Sequence, residues 1–183
     1  MSYDPNKHHR QTTRLRGYDY ASPGTYFVTL NAQNRLHLFG EIVNGSVQLN
    51  MYGKLAFDCW EQIPTHFPYV HLDEFIIMPN HVHGILQILK DPIESVGTRH
   101  AVSRRDPKEL FGNPISGALS TIIRSFKSET TRKINLLRGS PGEIVWQRRF
   151  HDHIIRNDTA LNNIREYILK NPAKWQWDRE NSE

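Results

Sequence analysis

The run Phe75-Ile-Ile-Met-Pro-Asn-His-Val-His-Gly-Ile-Leu86 sets two histidines one residue apart, directly after a Pro79-Asn80 turn. Successive side chains of a β-strand point to opposite faces, so His81 and His83 project together and Val82 projects the other way. Paired imidazoles on one face are the beginning of a metal site. They do not complete one, since a catalytic ion usually takes about three protein ligands and keeps open positions for water and substrate. Asn171 offers an amide oxygen one helical turn after Tyr167. An ion held by His81, His83 and Asn171 would bring the Tyr167 hydroxyl close to whatever the metal polarises. Oxygen ligands and a phosphate substrate suit Mg²⁺ or Mn²⁺, and imidazole favours Mn²⁺ of the two.

Each of these residues also has a plainer reading. Histidines beside a turn can simply be tolerated, and a helix tyrosine can pack at the edge of a core. A second pair, His151-Asp-His153, lies in a more basic stretch that disfavours a cation, so it is assigned to substrate contact or structure. His100 beside Arg99 is a candidate phosphate contact.

The elements that must position these residues follow from periodicity and turn chemistry. Thr25 to Asn31 is rich in β-branched and aromatic residues and predicts a first strand. Leu36 to Val43 and Ser46 to Leu49 predict a hairpin closed by Asn44-Gly45, which with that strand forms an antiparallel start. Asn50 caps a predicted helix over 51–62, with Leu55, Cys59 and Ile63 on its apolar stripe. Cys59, the single cysteine, is therefore core. Leu72 to Met78 and His81 to Leu89 predict two central strands joined at the histidine motif; Leu86 and Ile88 share the Val82 face and Gln87 shares the histidine face. Ser116 to Leu137 predicts a helix with a basic flank, ended by Gly139-Ser-Pro-Gly142, and Ile144 to Ile155 an irregular strand. A last helix runs from an Asp158 cap to Asn171, stopped by Pro172 and buried through Leu161, Ile164 and Ile168. Tyr167 and Asn171 then sit on the border of that stripe.

The 183 residues suit one domain, 1–183, with a basic N-terminal arm over 1–20 and a loop over 90–113. No apolar run approaches the roughly 18 residues of a membrane span, and the start of the chain lacks the apolar segment of a signal peptide, so a cytoplasmic, nucleoid-associated location is expected. Net charge is +4, distributed unevenly: +3 over 1–35, −5 over 36–98, +8 over 99–174 and −2 over 175–183. That asymmetry fits a polyanion-binding surface built from the arm, with Arg10, Arg14 and Arg16, and the C-terminal half. A basic face that only meets solvent is the alternative.

Four ordered motifs carry a resemblance. Leu72 to Leu86, the Val96-Gly-Thr-Arg-His-Ala101 box, Val145 to Phe150 with Asp152 to Arg156, and Tyr167-Ile-Leu-Lys-Asn-Pro172 together resemble the REP-associated tyrosine transposases, within the single-tyrosine transposases that carry a histidine-hydrophobic-histidine motif. The resemblance spans about Arg14 to Trp175. It implies an α+β, ferredoxin-like antiparallel sheet with packed helices, His81 and His83 as metal ligands, Tyr167 as the nucleophile, and Asn171 as the further polar ligand. Many relatives have tyrosine where this chain has His151, which leaves Tyr167 as the only tyrosine of the C-terminal third.

The implied activity is metal-dependent cleavage and rejoining of single-stranded DNA at hairpin-associated sites through a 5′-phosphotyrosine intermediate. Arg99, His100, Arg148, Arg149, His153 and Arg156 join the arm as DNA contacts. Whether Tyr167 serves its own subunit's histidines or acts across a homodimer is open at this level. Two rivals remain: a non-catalytic module that binds single-stranded nucleic acid, and a metal-dependent nucleotide phosphohydrolase using the same histidines with His151 or His153.

Overall fold

The computed structural model of the protein describes residues 18–20, 22–89 and 118–177. In chain order the elements are β1 (Gly24–Asn31), a 3-10 turn (Gln33–Arg35), β2 (Gly40–Val43), β3 (Ser46–Leu49), α1 (Met51–Glu61), α2 (Ile63–His66), β4 (Val70–Ile77), β5 (His81–Ile88), α3 (Leu119–Arg138), β6 (His151–Ile155), α4 (Asp158–Lys170) and a 3-10 segment (Pro172–Trp177). Strands β1, β4, β5 and β6 form one antiparallel sheet in the order β4-β5-β1-β6. With α1 and α3 as the crossovers this is the ferredoxin-like β-α-β-β-α-β arrangement, and α4 is added after it.

Strand alternation sorts the side chains into two faces. Tyr26, Val28 and Leu30 of β1 and Val82, Leu86 and Ile88 of β5 are buried with Trp60 and Cys59 of α1 and Ile122, Ile123 and Phe126 of α3. On the opposite face Phe27, Ile76, Ile85 and Ile155 meet Leu161, Ile164 and Ile168 of α4. Among the described residues the sheet thus lies between an α1/α3 layer and helix α4. Gly84 belongs to the first face, where a Cβ would stand 2.2 Å from Cζ2 of Trp60. The glycine after the histidine pair therefore lets the indole lie flat on the strand.

Local chemistry explains the boundaries. Asn50 caps α1 by accepting from the backbone N–H of Tyr52 and Gly53, as expected. Helix α3 ends at Gly139, whose φ of 65° is the left-handed conformation glycine adopts without a Cβ penalty. Asn44 and Gly45 both have positive φ and close the β2-β3 hairpin.

Several expectations need correction. The β2-β3 hairpin is a separate two-stranded sheet and does not extend the main one. Leu36 to Phe39 is not strand, because the Phe39 N–H bonds to Pro79 O and its ring enters the core. Strand β4 is an edge strand; only β5 of the motif pair is central. The stretch from Ile144 pairs only through an Ala32–Trp146 bridge until β6 begins at His151. The cap of α4 is Asn157, which accepts from the Ala160 N–H, and Asp158 is in the first turn instead. At the end of the predicted arm, Tyr20 is buried and Tyr18 shares a hydrogen bond with Tyr26.

Candidate functional site

Strand β5 delivers His81 and His83 to the α4 face, opposite Asn31 and Thr29 of β1. Both rings are buried, with centroids 4.3 Å apart. Their orientation is held by oxygen partners at Nδ1. Asn80 Oδ1 lies 2.8 Å from His81 Nδ1, and an amide oxygen can only accept, so Nδ1 carries the proton and Nε2 the lone pair. Burial, with the Arg35 guanidinium adding to it, pushes the His81 pKa down to about 3 and keeps the ring neutral. Thr29 Oγ1 is 2.9 Å from His83 Nδ1.

Helix α4 carries Tyr167 to the same histidine. Its Oη is 3.1 Å from His83 Nε2, across 84 residues of sequence. The tyrosine is 45% exposed, and its ring packs edge-on against Phe27. One turn later Asn171 is buried at the end of the helix. The following 3-10 segment brings Trp175 to stack on His81, with ring centroids 5.9 Å apart, and His37 lies 5.4 Å from the same indole.

These residues fit a divalent ion in their donor chemistry. Metal-binding imidazoles characteristically donate their second nitrogen to an oxygen acceptor, and the Nδ1 contacts of His81 and His83 supply that arrangement. Among the described residues no group of three His, Cys, Asp or Glu side chains could hold a metal. Completion would fall to the amide of Asn171 and to oxygens of the substrate.

The second histidine pair proves to share the sheet face of the first. His151 is opposite Thr29 and His153 opposite Phe27, both exposed on edge strand β6. Arg148, Arg149 and Arg156 are exposed beside them. The segment bearing Arg148 and Arg149 is anchored by Lys127, whose ammonium donates to Gln147 O at 2.8 Å and Arg149 O at 3.1 Å. Burial pulls the Lys127 pKa down to about 8. Arg10, Arg14, Arg16, Arg99 and His100 lie outside the described residues.

No family model matches the chain. A Haemophilus influenzae protein described as uncharacterized is 38% identical over 177 residues, covering 97% of this chain and 96% of that one. A second protein of that organism, a candidate REP-associated tyrosine transposase, is 26% identical over 161 residues, 85% of this chain and 74% of its own. The solved structure of a REP-associated tyrosine transposase bound to a REP hairpin matches with a TM-score of 0.58 at 22% identity, over 91% of this chain and 76% of the other. The chain is thus similar in sequence to a candidate REP-associated tyrosine transposase and shares the fold of a solved one.

Two features of the site are not apparent from motif spacing. Arg35 stands near His81 at the end of β1, where Asn34 and Arg35 both take positive φ of 55° and 53°. Residues 32–39 are fastened to the histidine turn by Ala32 N–H to Asn80 O and Phe39 N–H to Pro79 O. Consecutive left-handed, non-glycine residues are uncommon, and such strain concentrates at functional sites. The other feature is the Asp73–Arg165 ion pair, with Nη2 to Oδ2 at 2.6 Å. The only sequence signal for it is a break in the strand alternation: Leu72 and Phe75, three apart, are both apolar.

Proposed function

We propose that the protein cleaves and rejoins single-stranded DNA at hairpin-associated sites by metal-dependent transesterification, with Tyr167 as nucleophile and His81, His83 and Asn171 as metal ligands. The observation that carries this reading is the 3.1 Å approach of Tyr167 Oη to His83 Nε2, which sets a phenol beside a buried pair of imidazoles. A divalent cation bound there supplies Lewis-acid polarisation of a non-bridging phosphate oxygen.

The chain's own residues supply the rest. Tyr167 Oη attacks phosphorus, the bond from phosphorus to the 3′ oxygen breaks, and the phenol proton passes through water to that departing oxygen. The products are a 5′-phosphotyrosine link and a free 3′-hydroxyl. One phosphodiester replaces another, so the covalent link preserves the bond energy used in rejoining. Phe27 and His83 orient the phenol ring. Arg148, Arg149, His153 and Arg156 flank the site on the β6 side and track the DNA backbone, and Arg35 adds positive charge next to His81. Arg10, Arg14, Arg16, Arg99 and His100 are further proposed DNA contacts.

Incubation with hairpin-bearing single-stranded oligonucleotides and Mn²⁺ is expected to give a covalent adduct on a denaturing gel, lost with Tyr167→Phe. No adduct with any such substrate, or an adduct surviving that substitution, removes the transposase chemistry and leaves a nucleic-acid-binding module.

A further inference from the structure

We propose that Asp73 and Arg165 are positioning residues that set the roll of α4 on the sheet and thereby the placement of the Tyr167 hydroxyl. The inference rests on the reading of Tyr167 as nucleophile.

The need for such a device follows from how α4 is bound. Its docking stripe, Leu161, Ile164 and Ile168, meets a modest apolar patch of Phe27, Ile76, Ile85 and Ile155. Apolar burial is non-directional, so this stripe holds the helix down without defining its rotation. At about 100° per residue, Arg165 and Tyr167 lie on opposite flanks of the stripe. A directional bond on the Arg165 flank therefore fixes where Tyr167 points on the other.

The bond is of the directional kind. Arg165 Nε donates to Asp73 Oδ1 at 2.8 Å and Nη2 to Oδ2 at 2.6 Å, a two-point fork across 92 residues of sequence. Such bidentate pairs add geometric specificity to their energy. Asp73 is itself immobilised: Oδ1 also accepts from the Glu74 N–H at 2.8 Å, and Oδ2 from Gln87 Nε2 at 3.3 Å. The Arg165 hydrogen bonds, followed by that of the Glu74 N–H, hold its carboxyl below the usual carboxylate range against an opposing push from burial.

The strand is shaped for this contact. Leu72 pairs with Leu86 and Phe75 with Gly84, so two residues of β4, Asp73 and Glu74, stand against Ile85 alone. Bulges of this type bend a strand and re-aim side chains. Beyond the bulge the alternation resumes with Ile76 opposite His83. The same irregularity thus keeps Phe75 on the Trp60 side and lets the carboxylate reach α4 one residue row from the histidine.

The test separates positioning from bulk stability. In single-turnover adduct assays with saturating hairpin-bearing oligonucleotide and Mn²⁺, Asp73→Asn and Arg165→Lys are each expected to slow adduct formation about 10- to 100-fold, the scale of a small misplacement of reacting groups. DNA affinity, read by fluorescence anisotropy, is expected to stay at the wild-type value. Arg165→Lys keeps the charge and loses the fork, so a wild-type rate for it overturns the proposal. So does a loss of rate matched by an equal loss of affinity, or an equal slowing by the opposite-face variant Ile122→Val. If the wild-type protein itself forms no adduct, the nucleophile assignment fails separately. Hydrogen exchange then decides on positioning: faster exchange confined to α4 in Asp73→Asn supports it, and unchanged exchange overturns it.

Discussion

The two faces of the main sheet are made by the same strands and yet do different work. On the α1/α3 face, Tyr26, Val28, Leu30, Val82 and Leu86 lie under Trp60, Ile122 and Phe126, all buried and apolar. On the α4 face the same strands present Thr29, Asn31, His81 and His83, buried polar groups bordered by a small patch around Ile85 and Ile168. A dry, aromatic-rich face supplies stability through area removed from water. A polar face costs desolvation unless its groups find partners, and here Asn80, Thr29 and Tyr167 are among those partners. The division teaches that β5 can hold two imidazoles rigidly because its other side is anchored against Trp60.

Substitutions that touch only one face sharpen this contrast. The largest effect is expected from Tyr167→Phe, which should abolish adduct formation while thermal unfolding stays within about 0.5 kcal/mol of wild type, the range of exposed positions; a marked loss of stability would mean that the polar face also holds the fold. On the other face, Gly84→Ala forces a methyl against the Trp60 indole. Overpacking of that kind costs roughly 1–3 kcal/mol, visible as a lower urea midpoint, and an unchanged midpoint would show the indole free to move.

Thr29→Val keeps the shape beneath His83 and removes the hydroxyl at Nδ1. Loss of an outer-shell partner typically weakens metal binding about 10- to 100-fold, measurable by calorimetric titration with Mn²⁺; wild-type affinity would argue that His83 is oriented by packing alone.

The smallest effect concerns acid stability. The Asp73 carboxyl titrates lower in the folded protein than in the unfolded chain, chiefly because of Arg165. Its contribution is therefore present above the unfolded carboxyl pKa of about 3.9 and fades as pH falls through the lowered folded value. Urea midpoints of wild type and Asp73→Asn should differ at neutral pH and converge in acid. A difference that persists at the lowest pH would assign the effect to shape and not charge.

Much of the fold was legible because it is local. Asn50 and Gly139 mark helix ends by their own hydrogen bonding and φ, and the Asn44-Gly45 pair specifies its turn. The structure departs from the periodicity where a distant partner decides or where two neighbouring residues compete for one cap. Leu36 to Phe39 has a strand-like composition, but Pro79 O takes the Phe39 N–H and holds the segment against the histidine turn. The Asp158 cap failed because Asn157, one residue earlier, reaches the Ala160 N–H first. The relevance of Arg35 and of Asp73, the latter inside the Leu72 to Leu86 motif, comes from neighbours remote in sequence, His81 and Arg165.

The sequence alone determined that His81 and His83 share a strand face and that Tyr167 and Asn171 lie a turn apart at the edge of an apolar stripe. Strand and helix periods dictate such relations within an element. Only the tertiary structure decided that α4 docks on the histidine face, with the Tyr167 hydroxyl against His83 and Arg165 forked onto the β4 bulge. Contacts across 84 and 92 residues depend on which faces bury against each other and at what rotation. No local period carries that information, because apolar surfaces attract without direction until a hydrogen bond or ion pair selects one docking.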